Sequence, residues 1–407
     1  MKVNFKTTDF KKAWTKLKRI KMNRVDTPIL NSVHFEVVGN DLALSRTNLE
    51  HAMTVFIPCS WPITNANQAK ENFILADPVV QSVIDLNGDH VALDTYKLDQ
   101  EKMICNGSIE IPANDDSNYP YTNWQNQWRG EAVGVAVTTG RELKALATRF
   151  KPTVKEADKY YTCRPGFAIV GDNEQVYALA TDRACMSKTK IGISKAGTKE
   201  FTAPFDIHAL NLLKMAFGTR DIVTLSILGD EDKEDHYMLH AWTTTCQICI
   251  KQAKDNFPKW KEIYATSKVT GENILSATFG TALFLAALDR QEPIHKMANL
   301  GEEKYDYLFL GITPGRCHIT TWAGVDCSFE CNTAGGIGVI PLAGEKVRNV
   351  FNQDKAITSI KFNQTDRDTG PTEEAMEIMQ KDDHALLMPM SGDDDHWSNV
   401  LNKISNK

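Results

Sequence analysis

The residues best suited to chemistry in this 407-residue chain are basic side chains with helical spacing near its N-terminus. Lys12, Lys16 and Arg19 recur at i, i+4 and i+7, so a helix would place all three on one face. Phe10 and Trp14 have the spacing of an apolar face on the same helix. The pattern predicts an amphipathic helix over residues 8–20 whose positive face binds phosphates without reading bases. A basic helix face is also typical of plain solvated surface, and this segment alone leaves both interpretations open.

Further basic residues lie in other segments with helical periodicity. They are Arg141, Lys144, Arg149, Lys214, Arg220, Lys346 and Arg348. The helix expected at residues 77–85 contains no basic residue, which predicts an uneven positive lining. The formal net charge is −6, so contact with nucleic acid depends on where the basic residues cluster. We predict that they line one DNA-facing surface.

Arrangements typical of catalysis are scarce, because nucleophile-elbow, metalloprotease, phosphate-loop and dinucleotide-binding motifs are all missing from the sequence. Cys246 and Cys249 have CxxC spacing, but strand positions three apart face opposite sides of a sheet, and no second pair completes a zinc set. The acidic run at residues 230–235 could bind a cation, although a solvated loop is the simpler interpretation. A metal- or thiol-dependent enzyme remains an alternative function.

Internal repetition organises the elements that carry these residues, since four landmarks recur in the same order at domain-sized offsets. Opening helices are predicted at residues 8–20, 139–150 and 279–290, the second with Thr139 and Glu142 as a capping box. Strands with a threonine followed by a polar or aromatic residue are predicted at residues 42–48, 176–182 and 317–322. Second helices, each after a strand, are predicted at residues 79–86, 205–217 and 342–351. An apolar residue precedes proline at residues 119–120, 257–258 and 388–389.

The repetition predicts an α+β fold of three tandem copies of one domain, each with two helices against antiparallel sheet. We predict domains at residues 1–128, 129–266 and 267–390, followed by a C-terminal extension at residues 391–407. Apolar residues make up 42% and charged residues 24%, a balance typical of globular proteins. The nine cysteines form no disulfide framework, and no apolar run has the length of a membrane span, so we expect a cytoplasmic protein.

Several of these segments resemble the bacterial DNA sliding clamp, the beta subunit of the DNA polymerase III holoenzyme. Residues 24–32 (RVDTPILNS) resemble the family's Arg-x-x-x-Pro-Ile-Leu segment, and residues 39–50 resemble its strand ending in Thr-Asp-Leu-Glu. Further matching segments are residues 118–124, 159–161, 180–182, 255–258 and 387–390. The resemblance extends from residue 1 to about residue 390 and is distant, so that a phage or plasmid origin is compatible with it.

The resemblance implies half of a closed ring, in which a head-to-tail homodimer surrounds double-stranded DNA and Arg24 faces the DNA. It further implies a processivity factor without catalytic activity or cofactor, placed on DNA by a clamp loader. The polymerase subunit and other partners would insert a short peptide into an apolar pocket. Carried over to this chain, the pocket residues are Thr162, Thr181, Arg183, Met186, Pro258, Glu262, Ile263, Leu386, Met388, Pro389 and Met390.

Three departures from the family distinguish this chain. Residues 181–186 read TDRACM where the family commonly has Thr-Asp-Gly-His-Arg-Leu, and Glu262 replaces a basic residue. The chain also continues after Met390, where the family normally ends. Trp397, Leu401 and Ile404 in this extension have helical spacing, which predicts a short amphipathic helix. Such a helix either packs beside the peptide pocket and alters partner choice or covers another part of the third domain. A clamp-like module that binds partners without closing a ring is a further alternative.

Overall fold

The structure is a computed structural model of the chain. It describes residues 2–21, 27–61, 72–86, 88–95, 101–115, 119–120, 131–157, 159, 164–182, 184–197, 199–229, 236–267, 269, 273–298, 307–321, 326–351, 355–363, 375–390, 400–402 and 404–405. The described residues form two compact units. Unit 1 consists of Met1–Ala147, Asn173–Gln175 and Gly192–Gln252, and unit 2 of Thr148–Asp172, Val176–Ile191 and Ala253–Lys407. The two units do not test the domain boundaries predicted after residues 128 and 266, which remain a prediction.

The order of helices and strands repeats three times along the chain. The first set is β1 (Lys2–Lys6), α1 (Thr7–Leu17), β2 (Ser32–Val38), β3 (Asp41–Thr47), β4 (His51–Ser60), β5 (Phe73–Ala76), α2 (Asp77–Asp85), β6 (His90–Asp94), β7 (Lys102–Cys105) and β8 (Ile109–Pro112), followed by β9 (Asn114–Asp115). A short 3₁₀ helix, Pro28–Asn31, precedes β2.

The second set has the same order with one added strand, β14. It is β10 (Ala132–Thr139), α3 (Gly140–Ala157), β11 (Phe167–Asp172), β12 (Gln175–Thr181), β13 (Cys185–Lys190), β14 (Ile193–Ala196), β15 (Phe201–Phe205), α4 (Ile207–Ala216), β16 (Ile222–Gly229), β17 (Tyr237–Trp242) and β18 (Cys246–Lys251). Helix α5 (Trp260–Thr266) follows.

The third set again repeats the order, with β23 as the added strand. It is β19 (Ile274–Gly280), α6 (Thr281–Ala298), β20 (Tyr307–Thr313), β21 (Arg316–Thr321), β22 (Asp326–Glu330), β23 (Asn332–Ala334), β24 (Gly338–Ala343), α7 (Gly344–Val350), β25 (Ile357–Asn363), β26 (Met376–Gln380) and β27 (Asp383–Leu387). The chain therefore contains one plan of alternating strands and helices used three times, which is the predicted α+β class.

The predicted opening helices are confirmed, although α3 runs on to Ala157 and α6 to Ala298. In α1, Phe10, Trp14 and Leu17 are buried on one face, as their spacing predicted. The predicted capping box also forms: Thr139 Oγ1 accepts from the Glu142 amide at 3.2 Å, and Glu142 Oε2 accepts from the Thr139 amide at 3.0 Å. Both bonds satisfy donors that the start of α3 would otherwise leave unpaired.

In unit 1 an antiparallel sheet continues from the first set of elements into the second. Its strand order is β14-β10-β16-β17-β18-β4-β1-β6-β7-β8. The junction is the ladder between β18 and β4, in which Cys246 pairs with Val55 and Ile250 with His51. A ladder of main-chain hydrogen bonds therefore joins the two sets of elements.

In unit 2 two antiparallel sheets enclose an apolar core. One has the order β11-β12-β13-β27-β26-β25-β19-β23 and the other β22-β21-β20-β24. The rings of Phe279 and Phe284 stack at 5.2 Å in this core, and those of Phe284 and Phe351 at 4.4 Å. Helices α6 and α7 cover its ends, since α6 contacts β21 and β22 while α7 contacts β13, β24 and β27.

The described part of the C-terminal extension is helical at residues 400–402 and 404–405. Val400, Leu401 and Ile404 are buried against Phe309 and Val339 in unit 2. The extension thus packs on the sheet formed by β20 and β24.

Candidate peptide pocket and basic helix surface

An apolar cluster in unit 2 brings together three of the nine predicted pocket residues that the structure describes, Met186, Ile263 and Leu386. Met186 on β13 lies opposite Leu386 on β27 in the strand ladder, so their side chains share one face of the sheet. Both belong to a cluster with Leu179 and Val170, and Ile263 packs against it half-buried. Thr162, Arg183 and Arg24 lie outside the described residues.

Helix α5 closes this cluster with two aromatic rings. Trp260 and Tyr264 are one helical turn apart, and their ring centroids are 6.3 Å apart in an edge arrangement. The Tyr264 hydroxyl donates to the His384 carbonyl at 3.0 Å, and burial raises the pKa of Tyr264 above its usual value. The phenol therefore stays neutral and fastens α5 to β27.

A charged layer surrounds Trp260 on its outer side. Lys188 donates to Asp172 at 2.5 Å, and Lys261 is within 3.2 Å of the same carboxylate. Burial opposes ionisation of Asp172, but the hydrogen bonds from the two lysines hold its pKa below the usual value. The Lys188 ammonium also lies 4.8 Å from the centroid of Trp260 and 4.2 Å from that of Tyr177, distances at which a cation is attracted to an aromatic ring.

The turn after β12 leads into β13, the strand that carries Met186, and is held by Asp182. Its Oδ1 accepts from the amides of Ala184 at 2.7 Å and Cys185 at 2.9 Å. Its Oδ2 accepts from Lys346 at 2.5 Å. Burial opposes the charge on Lys346, but the bond to Asp182 raises the pKa of the lysine above its usual value. Lys346, predicted as a DNA contact, is thus neutralised inside unit 2.

The chain that leaves β27 carries three further predicted pocket residues, Met388, Pro389 and Met390, and is called the lip. Met388 donates its amide to the Ala184 carbonyl at 2.8 Å. The side chains of Met388 and Met390 are 39% and 36% exposed, and Pro389 is half-buried. Glu262 on α5 is also exposed and lies 3.0 Å from Lys259. Exposed methionines suit an apolar peptide, since unbranched thioether side chains adapt to different partners.

The basic surface predicted on α1 is largely accessible in unit 1. Lys12, Arg19 and the neighbouring Lys11 are exposed, and the Lys12 side chain retains 79% of its accessible surface although it lies 3.7 Å from Asp9. Lys16 is half-buried beside β18. There burial raises the pKa of the Cys246 thiol to about 11, and the charge of Lys16 opposes that rise.

Helices α1 and α4 lie on the same face of the β4–β18 ladder. Lys16 of α1 acts on Cys246, while His51 Nε2 on β4 lies 3.3 Å from Asp206 Oδ1, which caps α4 through the Ala209 amide. Cys246 and His51 point to one side because they pair with Val55 and Ile250 in register. Of the other predicted DNA contacts in unit 1, Arg141, Lys144 and Arg220 are exposed and Lys214 is half-buried.

Two further predicted DNA contacts are engaged within unit 2. Arg149 donates to Asp383 at 3.2 Å and also bonds to Thr189, and its side chain is nearly buried. Arg348 donates to Asp289 at 2.5 Å. The structure therefore separates these arginines, together with Lys346, from the exposed basic residues.

Sequence reasoning missed the aromatic floor of the pocket and its charged layer. The signal for the floor was present, because Trp260 and Tyr264 have helical i, i+4 spacing directly after Phe257 and Pro258. No comparable signal marked Lys188 or Asp172, since a partner from another strand is fixed only by the register of the sheet.

Features of the alternative enzyme class are limited in the described part of the chain. No group of three or more His, Cys, Asp or Glu side chains is placed to hold a metal ion there. Cys246 and Cys249 are free thiols, and Cys249 packs with Ala52 and Met238 on the side opposite Lys16. The acidic run at residues 230–235 lies outside the described residues. Among the described helices, none combines the length and apolarity needed to cross a membrane.

Comparison with known proteins identifies the fold. No protein-family model matches the chain, and no curated protein sequence matches it. Solved structures do match. The DNA polymerase sliding clamp of Bacillus subtilis aligns with a TM-score of 0.71 at 13% identity, covering 97% of this chain and 100% of that one. The DNA polymerase III beta subunit of Pseudomonas aeruginosa aligns with a TM-score of 0.71 at 12% identity, covering 96% and 100%.

A third match carries a bound peptide. It is the Helicobacter pylori beta clamp bound to a DNA ligase peptide, with a TM-score of 0.70 at 13% identity, covering 96% of this chain and 100% of that one. The chain therefore has the fold of the bacterial sliding clamp over nearly its whole length.

Proposed function

We propose that the protein is a sliding clamp, a processivity factor that surrounds duplex DNA and tethers a replicative polymerase without catalysing a reaction. The observation that carries the proposal is the sliding-clamp fold across 96–97% of the chain. Fold alone does not define function, so the proposal also depends on two surfaces of this chain, one basic and one apolar.

The proposed DNA contacts are the exposed basic residues of the predicted set. They are Lys12, Arg19, Arg141, Lys144 and Arg220, with the half-buried Lys16 and Lys214 beside them. These side chains can neutralise phosphates without reading bases, which allows a clamp to slide. We leave Arg149, Lys346 and Arg348 out of the set because each forms an ion pair with a carboxylate at 3.2 Å or less.

The proposed partner site combines the apolar cluster of Met186, Ile263 and Leu386 with Met388 and Met390 of the lip. A clamp of the same fold is bound to a DNA ligase peptide, which supports a peptide as the ligand here. The replicative polymerase subunit, the clamp loader and other proteins with a short apolar motif would compete for it. We expect this to take place in the cytoplasm, where free thiols such as those of Cys246 and Cys249 stay reduced.

Ring closure by a head-to-tail homodimer is supported by unpaired strand edges. Strand β8 ends the described sheet of unit 1, and β22 ends the four-stranded sheet of unit 2. Edge strands present free main-chain donors and acceptors, so β8 of one protomer can pair with β22 of the next. Ile109 on β8 is 40% exposed. Ile109→Lys should therefore convert the dimer to a monomer in sedimentation at micromolar concentration, whereas Val38→Lys, at a position 46% exposed, should not.

A monomeric wild type that still binds partner peptides would instead favour the clamp-like module without ring closure. Sedimentation thus separates the two proposals before any DNA is added.

The decisive test is retention on DNA. A closed ring should stay on nicked circular DNA at high salt and leave after linearisation, because topology rather than charge holds it there. Ordinary electrostatic binding falls steeply with salt on both forms. Lys12→Glu should weaken loading and low-salt binding, and Lys195→Glu on β14 is the matched control, since Lys195 is exposed and the charge change is identical. Equal loss from circular and linear DNA would refute the proposed function.

A second test addresses the pocket. Met388→Glu should weaken binding of the DNA ligase peptide known from the Helicobacter complex, measured by fluorescence anisotropy. Val38→Glu adds the same charge at a similarly exposed position in unit 1 and should leave the affinity unchanged. Equal affinities of the two variants would exclude the proposed pocket.

A further inference from the structure

The outer face of the β22-β21-β20-β24 sheet is apolar and is buried by the chain's own C-terminus. Leu310 on β20 and Ile340 on β24 point into the core of unit 2, so Phe309 and Val339, next to them along the strands, point away from it. Both are nevertheless 0% exposed. Their described covering consists of Val400, Leu401 and Ile404, with Ile337 packed alongside.

Gly311 leaves the space that the C-terminal segment occupies on this sheet. It lies in the interior of β20, where glycine is normally unfavourable unless another group approaches closely. A Cβ atom at Gly311 would lie 2.7 Å from Ile404 Cδ1, which is too close for any other residue without a shift. The sheet and the segment therefore fit each other at an atomic contact, and the Ser405 hydroxyl, which donates to the Leu401 carbonyl at 2.7 Å, closes the helical turn.

The lip of the peptide pocket precedes this segment in the chain. Met388 donates its amide to the Ala184 carbonyl at 2.8 Å, and Met390 donates its amide to the Pro341 carbonyl at 3.0 Å. Pro341 lies two residues from Val339 on β24, the strand that receives the C-terminal turn. Residues 388–390 are thus held by main-chain bonds at Met388 and Met390, and the buried turn that begins at Val400 follows further along the chain.

We infer that the docked C-terminal turn is a positioning device for the pocket, which holds Met388 and Met390 in place to receive an apolar partner peptide. The inference rests on the proposed function for the identity of the ligand. Without the anchor, residues 388–390 belong to a long free end, and chain ends fray unless they are tied down. A peptide would then have to order the lip when it binds. Undocking should raise the peptide dissociation constant about tenfold, the factor that corresponds to about 1.4 kcal/mol of ordering cost.

The test compares Ile404→Asp with Asn402→Asp in the full-length chain. Ile404 is buried and Asn402 is exposed on the same turn, so both variants add one carboxylate and only the first should undock the segment. Amide hydrogen exchange at Met388 and Met390 reports the lip directly, with no peptide present. We expect exchange at both amides to become at least about tenfold faster in Ile404→Asp than in Asn402→Asp, as local opening is exponential in its free energy.

Gly311→Ala perturbs the contact from the sheet side and serves if Ile404→Asp fails to fold. Its added methyl group comes too close only to the tip of Ile404, so the sheet should be retained and the lip loosened to a smaller extent. Unchanged exchange at Met388 and Met390 in a variant whose Leu401 amide has lost protection would overturn the inference. Faster exchange with unchanged affinity for the ligase peptide would also overturn it.

Failure of the proposed function gives a different result. If no variant, including wild type, binds the peptide while Ile404→Asp still accelerates exchange, the pocket assignment is refuted and the anchoring of the lip is supported.

Discussion

Lys346 and Asp182 form a buried ion pair whose removal gives the sharpest prediction of the structure. Their side chains are 13% and 1% exposed. Lys346→Met keeps the aliphatic stem and removes the charge. The Asp182 carboxylate then stays buried without its cation, although the amides of Ala184 and Cys185 still donate to it. Breaking a buried pair from one side costs about 3–5 kcal/mol, and the two remaining amide bonds favour the lower end, about 3 kcal/mol.

The double variant Lys346→Met with Asp182→Asn separates this cost from ordinary packing. Asparagine keeps an oxygen that accepts from the two amides and removes the unpaired charge. The free energy of unfolding of the double variant should therefore be only about 1 kcal/mol below that of wild type. The single variants should therefore be strongly non-additive, with an interaction energy of about 2 kcal/mol or more.

Chemical denaturation followed by circular dichroism measures these free energies, and retention on circular DNA gives an independent readout. Because the charge of Lys346 is already neutralised, Lys346→Met should not alter low-salt DNA binding, whereas Lys12→Glu should reduce it. A cost below about 1 kcal/mol, or additive single variants, would refute the buried-pair reasoning. If Lys346→Met weakened DNA binding as much as Lys12→Glu does, Lys346 would have to be counted among the DNA contacts.

Three further predictions concern pH, charge and helix capping. Burial lowers the pKa of His240 from 6.5 to about 4, so the unfolded chain binds a proton in that window that the folded chain does not. The free energy of unfolding should therefore fall by up to about 3 kcal/mol as the pH drops from 6.5 towards 4. His240→Gln should flatten this part of the plot of stability against pH, and an unchanged plot would contradict the assignment. Glu262→Lys should change the free energy of unfolding by less than about 0.5 kcal/mol but tighten binding of acidic over neutral peptides in anisotropy titrations; equal affinities would remove Glu262 from the pocket rim. Thr139→Ala should cost about 1 kcal/mol in thermal unfolding by opening the capping box with Glu142, and Thr245→Ala in a turn is a control expected to cost less.

The repeated plan was predictable from sequence because local signals fix it. Helix α1 is specified by the spacing of Phe10 and Trp14, and the start of α3 by Thr139 and Glu142, all within a few residues of one another. Such signals do not depend on the partner element. The ends of α3 and α6 were less predictable, since each helix runs on through a proline that the sequence pattern favours as a stop.

The basic residues were harder to assign, because the local pattern does not specify whether a charge is paired. Lys12 and Lys346 look alike in sequence, as each is a lysine on a segment with helical periodicity. They differ in the structure because Asp182 reaches Lys346 from a turn 164 positions earlier in the chain. The contact at Gly311 is a similar case. A Cβ atom there would lie 2.7 Å from Ile404 Cδ1 because of tertiary packing, which the local sequence does not specify.

This chain shares its fold with proteins of 12–13% identity because the fold requires few particular side chains. The β4–β18 ladder is built from main-chain hydrogen bonds and asks of its side chains only that alternate positions be apolar. Core positions such as Phe284 and Phe351 tolerate any set of apolar residues that fills the same volume. The rim of a peptide site has no such freedom, because its partner selects the charge and shape found there. We therefore predict that the departures at Glu262 and in the C-terminal extension affect the choice of peptide partner and not the fold.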